Sequence, residues 1–281
     1  MKIVWITDPH FEFLSKGQLA EFISEINRSG VAIVVITGDI ITYRGYRPLR
    51  LSQVDFIKWL CDRLTMPMYF VFGNHDYYNG SIKKIRKNMD GLPWLQKLGI
   101  VPLTEQTCLI GHDGWADGRS GNFIASPVQL NDYRRIEELT GHSTQKLLNR
   151  LNTLGDEAAS FVRDILPKAL KAFSHIILAT HVPPYRGACW HEGKISDDDW
   201  APHFVCQSMG ESLTEIMKAH PHKKMTVLCG HTHGRGFFGP EDNIHVLTGG
   251  AEYGKPIMQG IVDPDHLFQK PEVLFGNQDT C

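Results

Sequence analysis

Five short polar clusters in this 281-residue chain carry residue types that bind divalent cations: Asp8-Pro9-His10, Gly38-Asp39, Gly73-Asn74-His75-Asp76, His181, and Gly230-His231-Thr232-His233. Brought together, Asp8, His10, Asp39, Asn74, His181, His231 and His233 would offer four imidazoles, two carboxylates and one amide oxygen. That is more than one first-row ion can use and enough for two. A centrally placed carboxylate, for which Asp39 is the candidate, can bridge two ions through its two oxygens, and the histidines of His231-x-His233 can serve one ion each. With no thiolate and this much imidazole, the set suits Mn, Fe or Zn better than Ca or Mg. Two divalent ions carry more positive charge than two aspartates and a bridging hydroxide remove, so the site would attract phosphate. Ions roughly 3.5–4 Å apart clamp phosphoryl oxygens and bring a shared water's pKa toward ~7, which yields a hydroxide nucleophile.

An apolar run precedes each cluster: Ile3–Thr7, Val31–Thr37, Met68–Phe72, His175–Thr180 and Met225–Cys229. These runs are β-branched or aromatic without polar alternation, the pattern of strands buried on both faces. Between the early ones, Leu19, Phe22, Ile23 and Ile26 recur at helical spacing, with Gly30 just beyond; so do Leu51, Val54, Ile57, Leu60 and Leu64. Strand–helix–strand repetition predicts a mostly parallel α/β sheet. Open sheets of this kind bind ligands at the carboxyl ends of their strands, and every cluster sits at such an end. Convergence of the clusters is the central expectation.

Composition narrows the class. The chain is 42% hydrophobic and 21% charged, which fits a globular protein and excludes a disordered one. No apolar run reaches the ~18 residues of a membrane helix. Met1-Lys2 leads straight into the first run, with neither the core nor the cleavage site of a signal peptide. Six cysteines without a CxxC pair indicate reduced thiols and a cytoplasmic protein. Lys and Arg number 29 against 31 Asp and Glu, a net charge of −2, so nucleic acid is not a favoured partner. No repeat, low-complexity tract or linker divides the chain, so one domain over 1–281 is expected, and nothing sets an oligomeric state.

Taken in order, Asp8-x-His10, Gly38-Asp39, Gly73-Asn74-His75-Asp76, His181-x-Pro183-Pro184 and Gly230-His231-x-His233 resemble the motifs of calcineurin-like metallophosphoesterases, over residues 8 to 233. The resemblance implies a four-layer α/β/β/α sandwich with a dinuclear metal site at the strand C-terminal ends. It implies that Asp8, His10, Asp39 and His233 bind one ion, and Asp39, Asn74, His181 and His231 the other. His75 is then a non-ligand that protonates the leaving group or stabilises the transferring phosphoryl, with Asp76 holding its ring. In one departure, Gly38-Asp39 is followed by Ile40-Ile41-Thr42 where many relatives carry an acidic residue, which points away from the protein-phosphatase branch. The expected activity is hydrolysis of a phosphomono- or phosphodiester substrate by a metal-bridging hydroxide. A nuclease or a nucleotide-linked pyrophosphatase on the same scaffold are the alternatives; a non-catalytic interaction module fits poorly with a complete ligand set.

Other segments are less specific. His112, Asp113 and Arg119 follow the apolar Leu109-Ile110 in a glycine-rich stretch and are candidates for the pocket rim, the alternative being a plain turn. The segment Tyr185–Phe204, with His191, is expected to form a lid; Cys189, His191, His203 and Cys206 fit no standard zinc spacing. Leu130–Leu139, Ser143–Leu154 and Glu157–Phe173 read as helices broken at Gly141 and Gly155. Residues 128–173 are thus either an outer helical layer or an insertion capping the site. Residues 236–238, 244–248 and 256–262 read as strands finishing the second sheet, with Gly249–Glu252 approaching the metals. His142, His220, His222, His245 and His266 read as structural, and the tail after Pro264 as peripheral.

Overall fold

The computed structural model describes residues 1–269. Strands β1 (Ile3–Ile6), β2 (Ile33–Thr37) and β3 (Met68–Val71) run parallel, joined by helices α1 (Lys16–Arg28) and α2 (Gln53–Arg63). Both helices begin on a serine: the Ser15 and Ser52 side chains accept the N–H groups of Gln18 and Asp55, satisfying donors a first turn leaves unpaired. The short helices α3 (Ile82–Lys87) and α4 (Leu95–Leu98) lead into β4 (Val101–Pro102) and β5 (Thr107–Gly111). After α5 (Asp132–Arg135) and α6 (Thr144–Ala172) comes β6 (His175–Ala179), then the small hairpin β7 (Trp190–His191) and β8 (Lys194–Ile195). Helices α7 (Ala201–Phe204) and α8 (Gln207–Lys218) precede β9 (Lys224–Cys229), β10 (Gly236–Glu241), β11 (Ile244–Thr248) and β12 (Met258–Val262).

One sheet has the order β12-β1-β2-β3 and the other β10-β11-β9-β6-β5-β4. Alternation of side chains along each strand assigns the layers. Val4, Ile6, Val34, Ile36 and Phe70 pack with Leu19, Phe22, Phe56 and Ile57 of the first two helices. Ile3, Trp5, Val35 and Val71 face Leu109, Ile177, Leu228 and Leu247 across the gap between sheets. Ile110, Ile176, Leu178 and Val227 pack with Val162 and Leu166 of α6 and Met209 and Leu213 of α8. The order is helix, sheet, sheet, helix. No described helix is long and apolar enough to cross a membrane.

Several local expectations are corrected. The two expected helices over 143–173 are one, α6 (Thr144–Ala172), that runs through Gly155. There a Cβ would strike the Cβ of Asp117 and crowd Ser208 Oγ, so the glycine allows close packing rather than ending the helix. Residues 130–139 hold only the single turn α5. Strand β12 pairs antiparallel with β1 and thus closes the first sheet rather than the second. Within the tail expected to be peripheral, Leu267 and Phe268 are buried, Phe268 stacking on His245 at 3.9 Å; positions 270–281 lie outside the described residues.

Candidate metal centre

The carboxyl ends of β1, β2 and β3 in one sheet and of β6 and β9 in the other open onto one place. Hydrogen bonding continues past the strand ends: Asp8 N–H donates to Gly38 O at 3.1 Å, His10 N–H to Asp39 O at 3.0 Å, and Gly230 N–H to His181 O at 2.9 Å. Each loop is thereby held in register as its polar side chain turns inward. The turning is done by unusual backbone. Of eight non-glycine residues with positive φ among the described residues, five are Asp8, His10, Asp39, His231 and His233. Such conformations persist only where surroundings impose them, and they cluster at functional sites. Gly73 instead permits a close approach, since a Cβ there would run into Asp39 Oδ1.

The donor atoms form two groups that share Asp39. On one side, Asp39 Oδ2 lies 3.6 Å from His10 Nε2, His10 Nε2 lies 3.4 Å from His233 Nε2, and His233 Nε2 lies 3.5 Å from Asp8 Oδ1. On the other, Asp39 Oδ1 lies 3.5 Å from His181 Nε2. Asn74 Oδ1 lies 3.1 Å from that nitrogen and 3.0 Å from His231 Nδ1. All seven residues expected to meet do so. Asp8, His10, Asp39, Asn74 and His181 are buried.

Hydrogen bonds behind the donors test whether cations fit. His181 Nδ1 donates to Thr37 O at 2.9 Å and His231 Nε2 to His203 O at 3.0 Å, so in each neutral ring the opposite nitrogen keeps its lone pair. Asn74 Nδ2 donates to Asp132 Oδ1 at 2.8 Å, which turns Oδ1 toward the histidines. Three lone pairs therefore face one another at about hydrogen-bond distance with no proton between them, an arrangement a cation resolves. Charge points the same way. Burial, with the Asp8 and Asp76 carboxylates nearby, pushes the Asp39 carboxyl well above its ordinary range. Burial also lowers His10 and His231 to about 3, leaving neutral imidazoles suited to coordination.

His75 stands at the edge of this cluster. Its side chain is 18% exposed and its Nε2 is 4.0 Å from Asp39 Oδ2. The ring stacks on Tyr78 at 4.2 Å and meets His10 edge-on, while its backbone N–H donates to Asp39 Oδ1 at 2.8 Å. Burial, followed by the neighbouring His10 and His181, holds its pKa well below the usual imidazole value. Asp76 does not do what the resemblance implied. Its two oxygens accept the backbone N–H groups of Ile41 and Gly73 at 2.9 and 2.7 Å, so it ties the β2 and β3 loops together rather than holding the His75 ring.

A cavity of 290 Å³ opens over Asn74, His75 and His233, with His191, Phe204 and Tyr253 among its walls. His191 thus lies where a lid residue was expected, its Nδ1 3.2 Å from Thr232 O. The other three rim candidates are elsewhere. His112 is buried against Phe161, its Nδ1 accepting the Gly114 N–H at 3.0 Å. Asp113 is a buried strut that accepts from Phe72 N–H, Trp94 Nε1 and Tyr77 OH. Arg119 reaches Asp117 and Asp156 at 3.1 and 2.7 Å. Gly111, at the end of β5, packs closely against Leu95 and Val71, and the residues after it are buried rather than at the rim.

Sequence reasoning missed five residues here. Asp132 fixes Asn74, and Tyr78 donates to that same carboxylate at 2.6 Å. The His203 carbonyl orients His231. Tyr253 lies 4.5 Å from the His10 ring and 5.0 Å from that of His233; its one signal was the expected approach of Gly249–Glu252. Glu12, with its carboxylate 3.9 Å from His10 Nδ1 and raised to about 7 by burial, completes a second group with His10 and His75.

The calcineurin-like phosphoesterase model matches residues 1–235. The chain belongs to the calcineurin-like phosphoesterase family and is a metal-dependent phosphoric ester hydrolase; members use a dinuclear metal site. Its fold is similar to that of a dimetal phosphatase from Danio rerio, with a TM-score of 0.54 at 15% identity over 89% of this chain and 87% of that one. It is also similar to a putative 5'-nucleotidase from Staphylococcus aureus, with a TM-score of 0.50 at 14% identity over 89% of this chain. The match spans about half of that longer protein, 48% of its length. No curated protein matches the chain.

Proposed function

We propose that the protein hydrolyses phosphate mono- or diesters at two transition-metal ions, Mn, Fe or Zn. Asp8, His10, Asp39 and His233 would hold one ion, and Asp39, Asn74, His181 and His231 the other. Bound there, the ions would supply a deprotonated water and neutralise charge on the phosphoryl group. The observation that carries this reading is the meeting of the Asn74, His181 and His231 lone pairs, each locked from behind by a hydrogen bond.

The chain's own side chains do the rest. Asp39 spans the two donor groups and takes the His75 N–H, which couples the ligand cluster to the residue beside it. The neutral His75 ring retains one N–H at the cavity edge, available to a leaving-group or phosphoryl oxygen. Tyr78 backs that ring and keeps it from turning away. The bond between Asp132 and Asn74 favours reading residues 128–173 as part of one catalytic domain spanning the chain.

The test is a hydrolysis screen of the purified protein with added manganese, using a nitrophenyl monoester, a bis-nitrophenyl diester, cyclic nucleotides and single-stranded DNA. Hydrolysis of a nitrophenyl ester that a chelator abolishes and manganese restores is the expected outcome. Absence of metal-dependent turnover on every substrate would refute the proposal.

A further inference from the structure

Beside the 290 Å³ cavity lies a second one of 430 Å³, and the two share His75, Asn131 and Tyr253 on their walls. The second cavity has a different chemistry. Arg44, Arg47 and Arg135 line it, against Glu12 as the one carboxylate among its lining residues. The Arg135 guanidinium sits over the Tyr78 ring at 4.5 Å, and Tyr78 in turn backs His75. Arg44 and Arg47 are exposed, and their guanidinium groups have no ion-pair or hydrogen-bond partner among the described residues. In a chain whose net charge is −2, three arginines lining one cavity beside the donor cluster are a local reversal of sign. Guanidinium groups bind phosphate and carboxylate oxygens through paired N–H donors. A fork left without an internal partner is free to take one from a ligand.

From this arrangement we infer that the 430 Å³ cavity is a second anion subsite, which makes the preferred substrate a small phosphoester carrying another anionic group. The inference rests on the phosphoesterase reading above. The scissile phosphate occupies the donor cluster, and the second phosphate or carboxylate passes His75 and Tyr253 to reach Arg44 and Arg47. These arginines determine specificity; they touch neither the donor atoms nor the reacting phosphorus, so chemistry on a substrate lacking the second group does not need them. The subsite is a bounded cavity beside the centre, which suits a compact dianion better than a nucleic-acid strand.

The test uses the manganese-loaded protein and the double variant Arg44→Gln/Arg47→Gln. Calorimetric titration with non-hydrolysable alkane-α,ω-bisphosphonates of increasing chain length is compared with alkylphosphonates and with ω-phosphonoalkanoic acids. At one chain length the wild type should bind a doubly charged-ended compound about 10-fold or more tighter than the alkylphosphonate, as expected for charge-assisted bonds. The double variant should lose that preference while its turnover of nitrophenyl phosphate stays within about twofold of wild type. Preference for the bisphosphonate over the phosphonoalkanoate identifies the second group as phosphate; the reverse identifies carboxylate. Equal binding of all compounds by the wild type, or a preference that survives in the double variant, overturns the subsite while leaving nitrophenyl phosphate hydrolysis intact. Absence of metal-dependent turnover of every ester in the screen above by the wild type overturns the phosphoesterase reading instead. Single-stranded oligonucleotide cleavage that falls about 10-fold or more in the double variant, with no bisphosphonate preference in the wild type, overturns the small-molecule class.

Discussion

Replacing Asp39 with Asn removes one buried charge and almost no volume, and it bears on both donor groups at once. The carboxylate oxygens lie 3.5 Å from His181 Nε2 and 3.6 Å from His10 Nε2, and an amide keeps only one oxygen, so at least one half loses a donor. A ligand present at 100 times its Kd stabilises a fold by about 2.7 kcal/mol, and two such sites by about 5 kcal/mol. Over 281 residues an unfolding entropy of about 0.6 kcal/mol/K means 1 kcal/mol moves Tm by about 1.7 °C, so saturating manganese should raise the wild-type Tm by about 9 °C. Asp39→Asn should lose at least half of that rise. Without metal the sign reverses. The folded Asp39 carboxyl titrates above its ordinary 3.8 because of burial and the Asp8 and Asp76 charges. The metal-free fold therefore loses stability as pH rises past that value, a loss the asparagine does not suffer. Metal-free Asp39→Asn should accordingly be at least as stable as the metal-free wild type at pH 7. Calorimetric Tm with and without manganese, together with elemental analysis, reads both effects. A variant that retains two ions per chain and the full Tm rise would refute the bridging role.

Three further outcomes follow from the same geometry. His75→Ala keeps the backbone N–H that Asp39 accepts, so it should retain metal while kcat falls by ~10²–10⁴; unchanged turnover would reassign the ring to structure. Asp132→Ala frees the Asn74 amide to rotate and should weaken manganese binding by about 10–100-fold, the usual effect of losing an outer hydrogen bond, as read by titration against a fluorescent chelator. His112 and His175, held by burial to about 3 and about 4, stay neutral in the fold but take a proton below 6.5 once unfolded. At these two positions the unfolded state then binds more protons, so the two rings should cost metal-free stability as pH drops from about 6.5 toward 3; urea midpoints whose change over that interval is the same in His112→Gln/His175→Gln as in the wild type would contradict it.

The donor residues were legible because each stands directly behind a strand. A parallel sheet collects its strand ends along one edge, so Asp8, Asp39 and Asn74 gather in one sheet and His181 and His231 in the other as the linear pattern requires; the packing of the two sheets brings the two sets together. His112, Asp113 and Arg119 also follow a strand, yet the chain after Gly111 runs into the core, His112 and Asp113 being buried. Nothing in a short polar run distinguishes a turn toward solvent from one into a core. Gly155 misled for a related reason: glycine marks a helix end or a close approach equally well, and the neighbour that decides, Asp117, is remote in sequence.

Strand periodicity, helix caps and the order of polar clusters thus determined the α/β class and the donor set, since these depend on residues a few positions apart. Tertiary structure alone decided what stands behind and beside the donors. Asp132 reaches Asn74 across 58 positions and the His203 carbonyl reaches His231 across 28. Arg44 and Arg135 line one cavity from opposite sides of the donor cluster's sequence at Asn74. Side-chain tautomer and local charge are set by such distant partners, and the distance between two residues in space is fixed only when the layers pack.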